Sequence, residues 1–216
     1  DRNTAAGYLA LHNNTTGSYN VAIGRFAMRY NTSGLDNVAS GYHALYSNTS
    51  GNYNTATGNY ALYSNTTASN NTATGNYALR YNTTGIDNTA SGYRALYYNT
   101  SGHWNSGHGK QSLYYNTTGE RNTASGYESL FKNTTGKYNT AIGMQTLYLN
   151  QTSDNITSLG HEAFYNTTAT GGVAIGAKAL KASTTGAYNT AIGYNAGAIN
   201  TTGASNTYLG YNTNAT

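Results

Sequence analysis

The sequence predicts an all-β fold, a parallel β-solenoid with about thirteen coils of 17 residues. Three observations predict it: a glycine recurs at a fixed interval, the intervening residues favour short strands, and no apolar helical stripe is present. The glycine ends a motif that reads Asn-Thr-Ala-x-Gly. Its copies are Gly7, Gly24, Gly41, Gly58, Gly75, Gly92, Gly109, Gly126, Gly143, Gly160, Gly176, Gly193 and Gly210, and only the step from Gly160 to Gly176 is 16 residues instead of 17.

The length of the repeat favours a coil of short strands over a pair of helices. Helical repeats need roughly 33 to 47 residues and an apolar stripe. Thr, Val, Ile and Tyr favour strands, while Gly and Asn interrupt them. We therefore expect two or three short strands in each coil, paired in parallel with the next coil at about 4.8 Å, and a rod about 60 Å long.

Positions that hardly vary between the copies predict the side chains that face inward. The alanine two residues before the repeated glycine is one such position, and the aliphatic residue of Gly-Tyr-x-Ala-Leu-Tyr is another. The second position predicts a thin core with about one large side chain per coil. Its clearest members are Leu45, Leu62, Leu79, Leu96, Leu113 and Leu130. The residue just before the glycine varies through Ser40, Thr57, His108 and Ile142, so we expect it to face outward or toward a partner chain.

Two columns of asparagine predict structural ladders at the corners of the coils. Asn tolerates the left-handed backbone of a tight corner, and stacked amides can form hydrogen bonds along the axis. The first column includes Asn37, Asn54, Asn71 and Asn88, and the second includes Asn65, Asn82, Asn99 and Asn116. Members of the second column also match the Asn-x-Thr glycosylation signal. A repeat generates this signal at every copy, so we favour the ladder interpretation.

An aromatic column follows the leucine column by one residue. Its members include Tyr46, Tyr63, Tyr97, Tyr114, Tyr148 and Tyr165. Arg29, Arg80 and Lys181 occupy the same position in other copies, so we expect the column to be at least partly exposed. Stacked rings can stabilise neighbouring coils, and an exposed aromatic stripe can bind a sugar or another chain. Both interpretations stay open.

Composition and charge argue against several function classes. Charged residues make up 8% of the chain, against about 25% in typical domains. The Lys and Arg residues are scattered in sequence, which predicts no nucleic-acid partner. No cysteine is present, and the His, Asp and Glu residues form no pattern of metal ligands or paired acids. We predict no catalytic residue, no metal site, no cofactor and no membrane insertion in this segment, and therefore no enzyme.

Short motifs carry a resemblance to known repeat families. The segments NVAIGRFA at Asn20, NTAIGMQT at Asn139, GVAIGAKA at Gly172 and NTAIGYNA at Asn189 resemble the head repeats of trimeric autotransporter adhesins. The longer pattern N-T-A-I-G-Y-x-A-L-Y-x-N-T-T-G is similar to repeats of phage tail fibres and bacterial surface proteins. The resemblance implies a β-roll that trimerises and has no catalytic residues. The adhesin coil is shorter, so this chain has an additional corner segment, N-T-T-G.

These observations predict a structural or adhesive segment of an extracellular fibre, on a bacterial surface or a virion. We expect residues 1–216 to form a single repeat array that is a fragment of a longer chain. Its partners would be copies of itself, in a homotrimer or an end-to-end filament, and a glycan or protein receptor. One alternative is a self-assembling extracellular filament. Another is an ice-binding protein with a threonine ladder at Thr55, Thr72, Thr89, Thr123, Thr140 and Thr190.

Overall fold

A computed structural model describes residues 2–214 and confirms the all-β parallel solenoid. Within these residues one sheet of thirteen parallel strands follows the order of the chain, and no helix is present. The strands are β1 Thr4–Ala6, β2 Val21–Ile23, β3 Val38–Ser40, β4 Thr55–Thr57, β5 Thr72–Thr74, β6 Thr89–Ser91, β7 Ser106–His108, β8 Thr123–Ser125, β9 Thr140–Ile142, β10 Ile156–Leu159, β11 Gly172–Ile175, β12 Asn189–Ile192 and β13 Thr207–Leu209.

Successive coils stack in one constant register. Ala56 of β4 pairs with Ala73 of β5, which lies one repeat further along the chain. The repeated glycines form a column as well, because a Cβ atom added to Gly75 would lie 2.7 Å from the carbonyl oxygen of Gly92. Thirteen strands leave twelve steps along the axis, which at about 4.8 Å each give a length of about 60 Å.

Each coil contains one strand, which differs from the two or three that the sequence predicted. Outside the strand, left-handed residues interrupt the backbone: φ is 55° at His43, 50° at Leu45 and 57° at Tyr53. Alternate residues are left-handed from Gly41 to Leu45, so an extended run cannot form there. Hydrogen bonds between coils nevertheless continue through these turns. The Leu45 N–H donates to the Ala61 carbonyl at 2.9 Å, and the His43 N–H donates to the Arg25 carbonyl at 3.1 Å.

The leucines of the core occupy these left-handed positions. A left-handed conformation costs a residue other than glycine roughly 1–2 kcal/mol. Burial of a leucine side chain contributes about 1.5–3 kcal/mol, so burial outweighs the backbone cost. The leucines without exposed surface include Leu45, Leu62, Leu79, Leu96, Leu113 and Leu130. Buried alanines fill the remaining core, which holds one large side chain in most coils.

The 16-residue coil, which runs from Gly160 to Gly176, is accommodated by a change of core residues. Phe164 replaces leucine and is fully buried. Gly172 stands where most coils have the first asparagine, and a Cβ atom there would lie 2.9 Å from Phe164 Cζ. The absence of a side chain at Gly172 therefore makes room for the larger ring.

The glycine column yields a prediction about stability. Gly75 has a φ of +130° and is close to Gly92, so we expect Gly75→Ala to destabilise the fold by at least about 1–3 kcal/mol. Urea unfolding followed by circular dichroism measures the change. Thr74→Ala, at the neighbouring exposed position, is the control and should change stability by less than about 0.5 kcal/mol. Equal unfolding midpoints for the two variants would contradict the prediction.

Candidate functional site

The first asparagine column forms a ladder of buried amides. Asn88 donates its Nδ2 to Asn71 Oδ1 at 3.2 Å, and its backbone N–H donates to the same oxygen at 3.0 Å. The same pair of bonds recurs from coil to coil along the column that contains Asn37, Asn54, Asn71, Asn88, Asn105 and Asn122. None of these side chains has exposed surface. From Asn37 to Asn105 each amide oxygen of the column therefore accepts two hydrogen bonds from the next coil, and Asn122 Oδ1 accepts one, from the Asn139 N–H.

The second asparagine column forms a parallel ladder. Asn82 donates its Nδ2 to Asn65 Oδ1 at 3.1 Å, and Asn99 donates to Asn82 Oδ1 at 2.8 Å. Asn116 continues the series by donating to Asn99 Oδ1 at 2.8 Å. These side chains are also fully buried. A buried amide without a partner would cost about 1–3 kcal/mol, so the ladder favours coils in which the asparagines align.

A single corner carbonyl joins the two ladders in most coils. The Gly85 carbonyl oxygen accepts from Asn71 Nδ2 at 2.9 Å and from Asn82 Nδ2 at 2.8 Å. The same convergence occurs at the carbonyls of Gly34, Gly51, Ala68, Gly102, Gly119 and Gly136. The sequence predicted two columns but not this connection. These two hydrogen bonds to one carbonyl fix the N-T-T-G corner relative to the strand.

The buried ladder also decides how the glycosylation signals behave in the folded chain. Asparagines of the second column that match the signal have no exposed surface: Asn31, Asn65, Asn82, Asn116 and Asn133. Each Nδ2 donates to two oxygens inside the coil. A glycan cannot be attached to these amides without opening the ladder.

The aromatic column forms continuous stacks. Tyr46 stacks on Tyr63 with ring centroids 5.1 Å apart. A second stack contains Tyr97, Tyr114, Phe131, Tyr148 and Tyr165, with centroids 5.1–5.2 Å apart and planes within 11° of parallel. This spacing is close to the distance between strands, so stacking follows directly from the constant register.

The sequence predicted that this aromatic column is at least partly exposed. The structure corrects this prediction at two positions. Tyr97 and Tyr114 are only 7% and 8% exposed, whereas Tyr46, Tyr63, Tyr148 and Tyr165 are half-buried. The reason is a neighbouring column of rings. Tyr98 packs against Tyr97 at 4.7 Å, and Tyr115 packs against Tyr114 at 4.7 Å, both in edge-on geometry. Rings on three sides therefore exclude water from Tyr97 and Tyr114.

Two arginines replace tyrosine in this column and lie over aromatic rings. The Arg80 guanidinium is 5.0 Å from the centroid of Tyr60 and 5.2 Å from that of Tyr77. Arg29 lies 5.1 Å from Phe26 in the same way. These distances are within the range of cation–π attraction.

Two further arginines share this face of the coil, and the sequence analysis missed them. Arg25 lies 4.7 Å from Phe26, and Arg94 lies 5.7 Å from Tyr77. We call the surface formed by Arg25, Arg29, Arg80, Arg94 and the rings between them the arginine–tyrosine face. Basic residues that are scattered in sequence are thus brought together, because the positions one, two and five residues after the repeated glycine lie side by side. The 17-residue repeat shows which residues share a column. It does not show which columns lie next to each other around the coil.

His43 lies inside the arginine–tyrosine face. Its ring stacks on Tyr46 at 4.5 Å and meets Phe26 edge-on at 4.9 Å. Burial, together with the positive charges of Arg25 and Arg29, lowers the pKa of His43 below its ordinary value of 6.5. The neutral form is therefore favoured at neutral pH, because burial and then the two neighbouring guanidinium charges disfavour the imidazolium.

Acidic residues do not neutralise this face. Within residues 2–214 the ion pairs are Lys137 with Glu120 at 3.4 Å and Lys181 with Glu162 at 2.7 Å, both in later coils.

The described part of the chain has no cavity, and no three potential metal ligands among its His, Asp and Glu side chains come together. The same residues include no helix with the length and hydrophobicity needed to cross a bilayer. The surface instead consists of columns of equivalent side chains that run along the axis.

Stacked coils, buried ladders and surface stripes together define the class of this chain. It is a parallel β-solenoid repeat protein, with turns of about 17 residues. Comparisons with protein-family models, curated proteins and solved structures each gave no match.

The amide ladder yields a second prediction. Asn82→Ala would leave the buried Asn65 Oδ1 without its donor, so we expect a loss of stability of about 1–3 kcal/mol. Asn76→Ala is the matched control, because the hydrogen bond that Asn76 Oδ1 accepts is exposed and water can replace it. Thermal and urea unfolding measure both variants. Equal losses in the two variants would mean that the ladder contributes no special stability.

The environment of His43 yields a third prediction. We expect Arg25→Gln combined with Arg29→Gln to raise the pKa of His43, while burial, the largest cause of the shift, keeps it below 6.5. NMR titration of the His43 ring measures this value, with Arg121→Gln as the control. An unchanged pKa in the double variant would contradict the assignment.

The same shift predicts how stability depends on pH. Because the folded pKa of His43 is lowered, the unfolded chain binds more protons just below pH 6.5. Stability should therefore rise with pH between the lowered pKa and 6.5. His43→Gln should remove this part of the pH dependence in urea unfolding, and an identical pH profile for the variant would argue against it.

Proposed function

We propose that this chain is a structural and adhesive segment of an extracellular fibre, located on a bacterial surface or a virion. The observation that carries the proposal is the unbroken stack of thirteen parallel strands with buried ladders along its axis. Repeats that contact only their neighbours build an extended body. A rod of this kind displays or projects a surface.

Exposed aromatic side chains support the adhesive part of the proposal. Tyr8, Tyr19, Tyr53, Trp104 and Tyr188 are all exposed. Except for Tyr8, these side chains lie in one column, five residues before the repeated glycine. Exposed aromatic stripes are typical of interaction surfaces. A glycan or protein receptor that lies along the rod is the partner that fits this arrangement.

Exposed aliphatic side chains support self-association. Ile142, Leu159, Ile192 and Leu209 face outward at equivalent positions of β9, β10, β12 and β13. Contact between such stripes in a homotrimer would remove them from water. This arrangement is also the one implied by the resemblance to adhesin head repeats. An end-to-end filament is the other assembly that the stacked coils permit.

The fibre proposal predicts both the shape of the protein and its location. Electron microscopy of the purified chain should show rods whose length is a multiple of about 60 Å. Antibodies against the chain should label the outer surface of intact cells or particles of the source organism, with a cytoplasmic protein as the negative control. Labelling only after lysis, together with compact particles, would overturn the proposal.

Ice binding is a second candidate function, favoured by an outward threonine column. Threonine occupies the first outward strand position at Thr4, Thr55, Thr72, Thr89, Thr123, Thr140, Thr157, Thr190 and Thr207. The next outward position is threonine only in β4 and β5. Two outward threonines on the same strand therefore occur in only these two strands. Thermal hysteresis that is lost in Thr55→Tyr with Thr72→Tyr would support this function, and no hysteresis in the unmodified chain would exclude it.

A further inference from the structure

We propose that the arginine–tyrosine face binds a linear acidic polysaccharide that carries carboxylate or sulfate groups. This inference rests on the adhesive role proposed above and names the chemistry of the ligand. The face spans the five coils that begin at Gly24, Gly41, Gly58, Gly75 and Gly92.

The first argument is uncompensated charge. Between Gly24 and His108 the acidic residues are Asp36 and Asp87. Both belong to the column that contains Tyr53 and Trp104, five residues before the repeated glycine, and neither is paired with an arginine. The basic residues on the arginine–tyrosine face have only aromatic partners. An anionic ligand would supply the missing opposite charge.

The second argument is the set of unpaired donors on the guanidinium groups. The Nε atoms of Arg29, Arg80 and Arg94 are buried and have no hydrogen-bond partner within the described residues. Arg80 Nη1 donates one bond, to the Tyr97 hydroxyl at 3.2 Å. The rings hold each charge in a medium less polar than water, where attraction to an anion is stronger. The remaining guanidinium donors match the oxygens of a carboxylate or sulfate.

The third argument is shape. A chain of rings connects the two ends of the face: Phe26 to Tyr42 at 6.4 Å, Tyr42 to Tyr60 at 5.3 Å, and Tyr60 to Tyr77 at 5.3 Å. Arg29 and Arg80 are three coils apart, which is about 14 Å. The described surface offers no cavity for a compact ligand. A linear polymer with spaced charges fits this extended face.

The state of the aromatic rings favours a polysaccharide over a single-stranded nucleic acid. Bases bind to such surfaces by stacking on open aromatic faces. Here Tyr46 stacks on Tyr63, and Tyr60 stacks on Tyr77, so these faces are already covered on one side by another ring. Arg80 lies over Tyr60 and Tyr77 as well. Phenolic hydroxyls remain, and they can form hydrogen bonds with sugar hydroxyls and acid groups.

The test compares sulfated with neutral dextran, and adds alginate as a polyuronate and oligodeoxythymidylate as a nucleic acid. We expect the folded chain to bind dextran sulfate and alginate, with an affinity that falls as the salt concentration rises. It should not bind neutral dextran. Arg29→Gln combined with Arg80→Gln should weaken binding at least tenfold. Arg29→Lys with Arg80→Lys retains the charge but removes the paired donors of the guanidinium, so it should lose less binding than the glutamine variant.

The matched control is Arg2→Gln combined with Arg121→Gln. It removes the same charge from arginines that also lie over rings, Tyr19 and Trp104, but in a different column. Circular dichroism melting checks that every variant is folded. In the unmodified chain, bound dextran sulfate should raise the pKa of His43, and this NMR measurement needs no substitution.

Three results would overturn the proposal. One is equal binding of neutral and sulfated dextran. Another is an equal loss of binding in the control variant, because binding would then depend on net charge or on the column of Tyr19 and Trp104, and not on the arginine–tyrosine face. The third is tighter binding of oligodeoxythymidylate than of alginate with the same number of charges. None of these results would alter the rod length or the surface labelling that test the fibre proposal, so the two failures can be distinguished.

Discussion

The hydrogen bonds between buried asparagine amides are the constraint on which the rest of the structure depends. In most coils the amide oxygen finds its donor in the next coil, and one carbonyl accepts from both amides, as at Gly85. A coil that slipped by one residue would leave these groups buried without partners, at about 1–3 kcal/mol each. The 17-residue register follows from this requirement, and the register in turn aligns the leucines, the glycines and the rings.

The ladders also explain how so thin a core suffices. A coil with one large aliphatic side chain, such as Leu79, buries little apolar surface on its own, and its backbone is left-handed at several positions. Such strain persists only where the surrounding structure determines the conformation. Here the neighbouring coils determine the conformation. Their side-chain amides and backbone N–H groups form hydrogen bonds along the axis, in the turns as well as in the strands.

Sequence periodicity predicted the solenoid, because glycines at steps of 17 residues with one step of 16 between Gly7 and Gly210 have few other structural explanations. It did not predict a single strand per coil, since left-handed φ at residues such as Leu45 and His43 has no marker in the sequence. The path of the backbone within a coil decides which columns are neighbours. For that reason the burial of Tyr97 behind Tyr98 and the meeting of Arg80 with Arg94 at Tyr77 could not be predicted.

A solenoid with a fixed interior separates cohesion from surface chemistry. The positions two and five residues after the repeated glycine carry Tyr77 and Arg80 in an early coil, but Glu162 and Tyr165 in a later one. Glu162 there forms an ion pair with Lys181, whereas the arginines of the early coils have only rings beside them. Since the ladders and leucines are the same in most coils, an exposed column can change its charge from coil to coil without loss of register. A rod built in this way can carry a cationic surface in one segment and a neutral surface in the next.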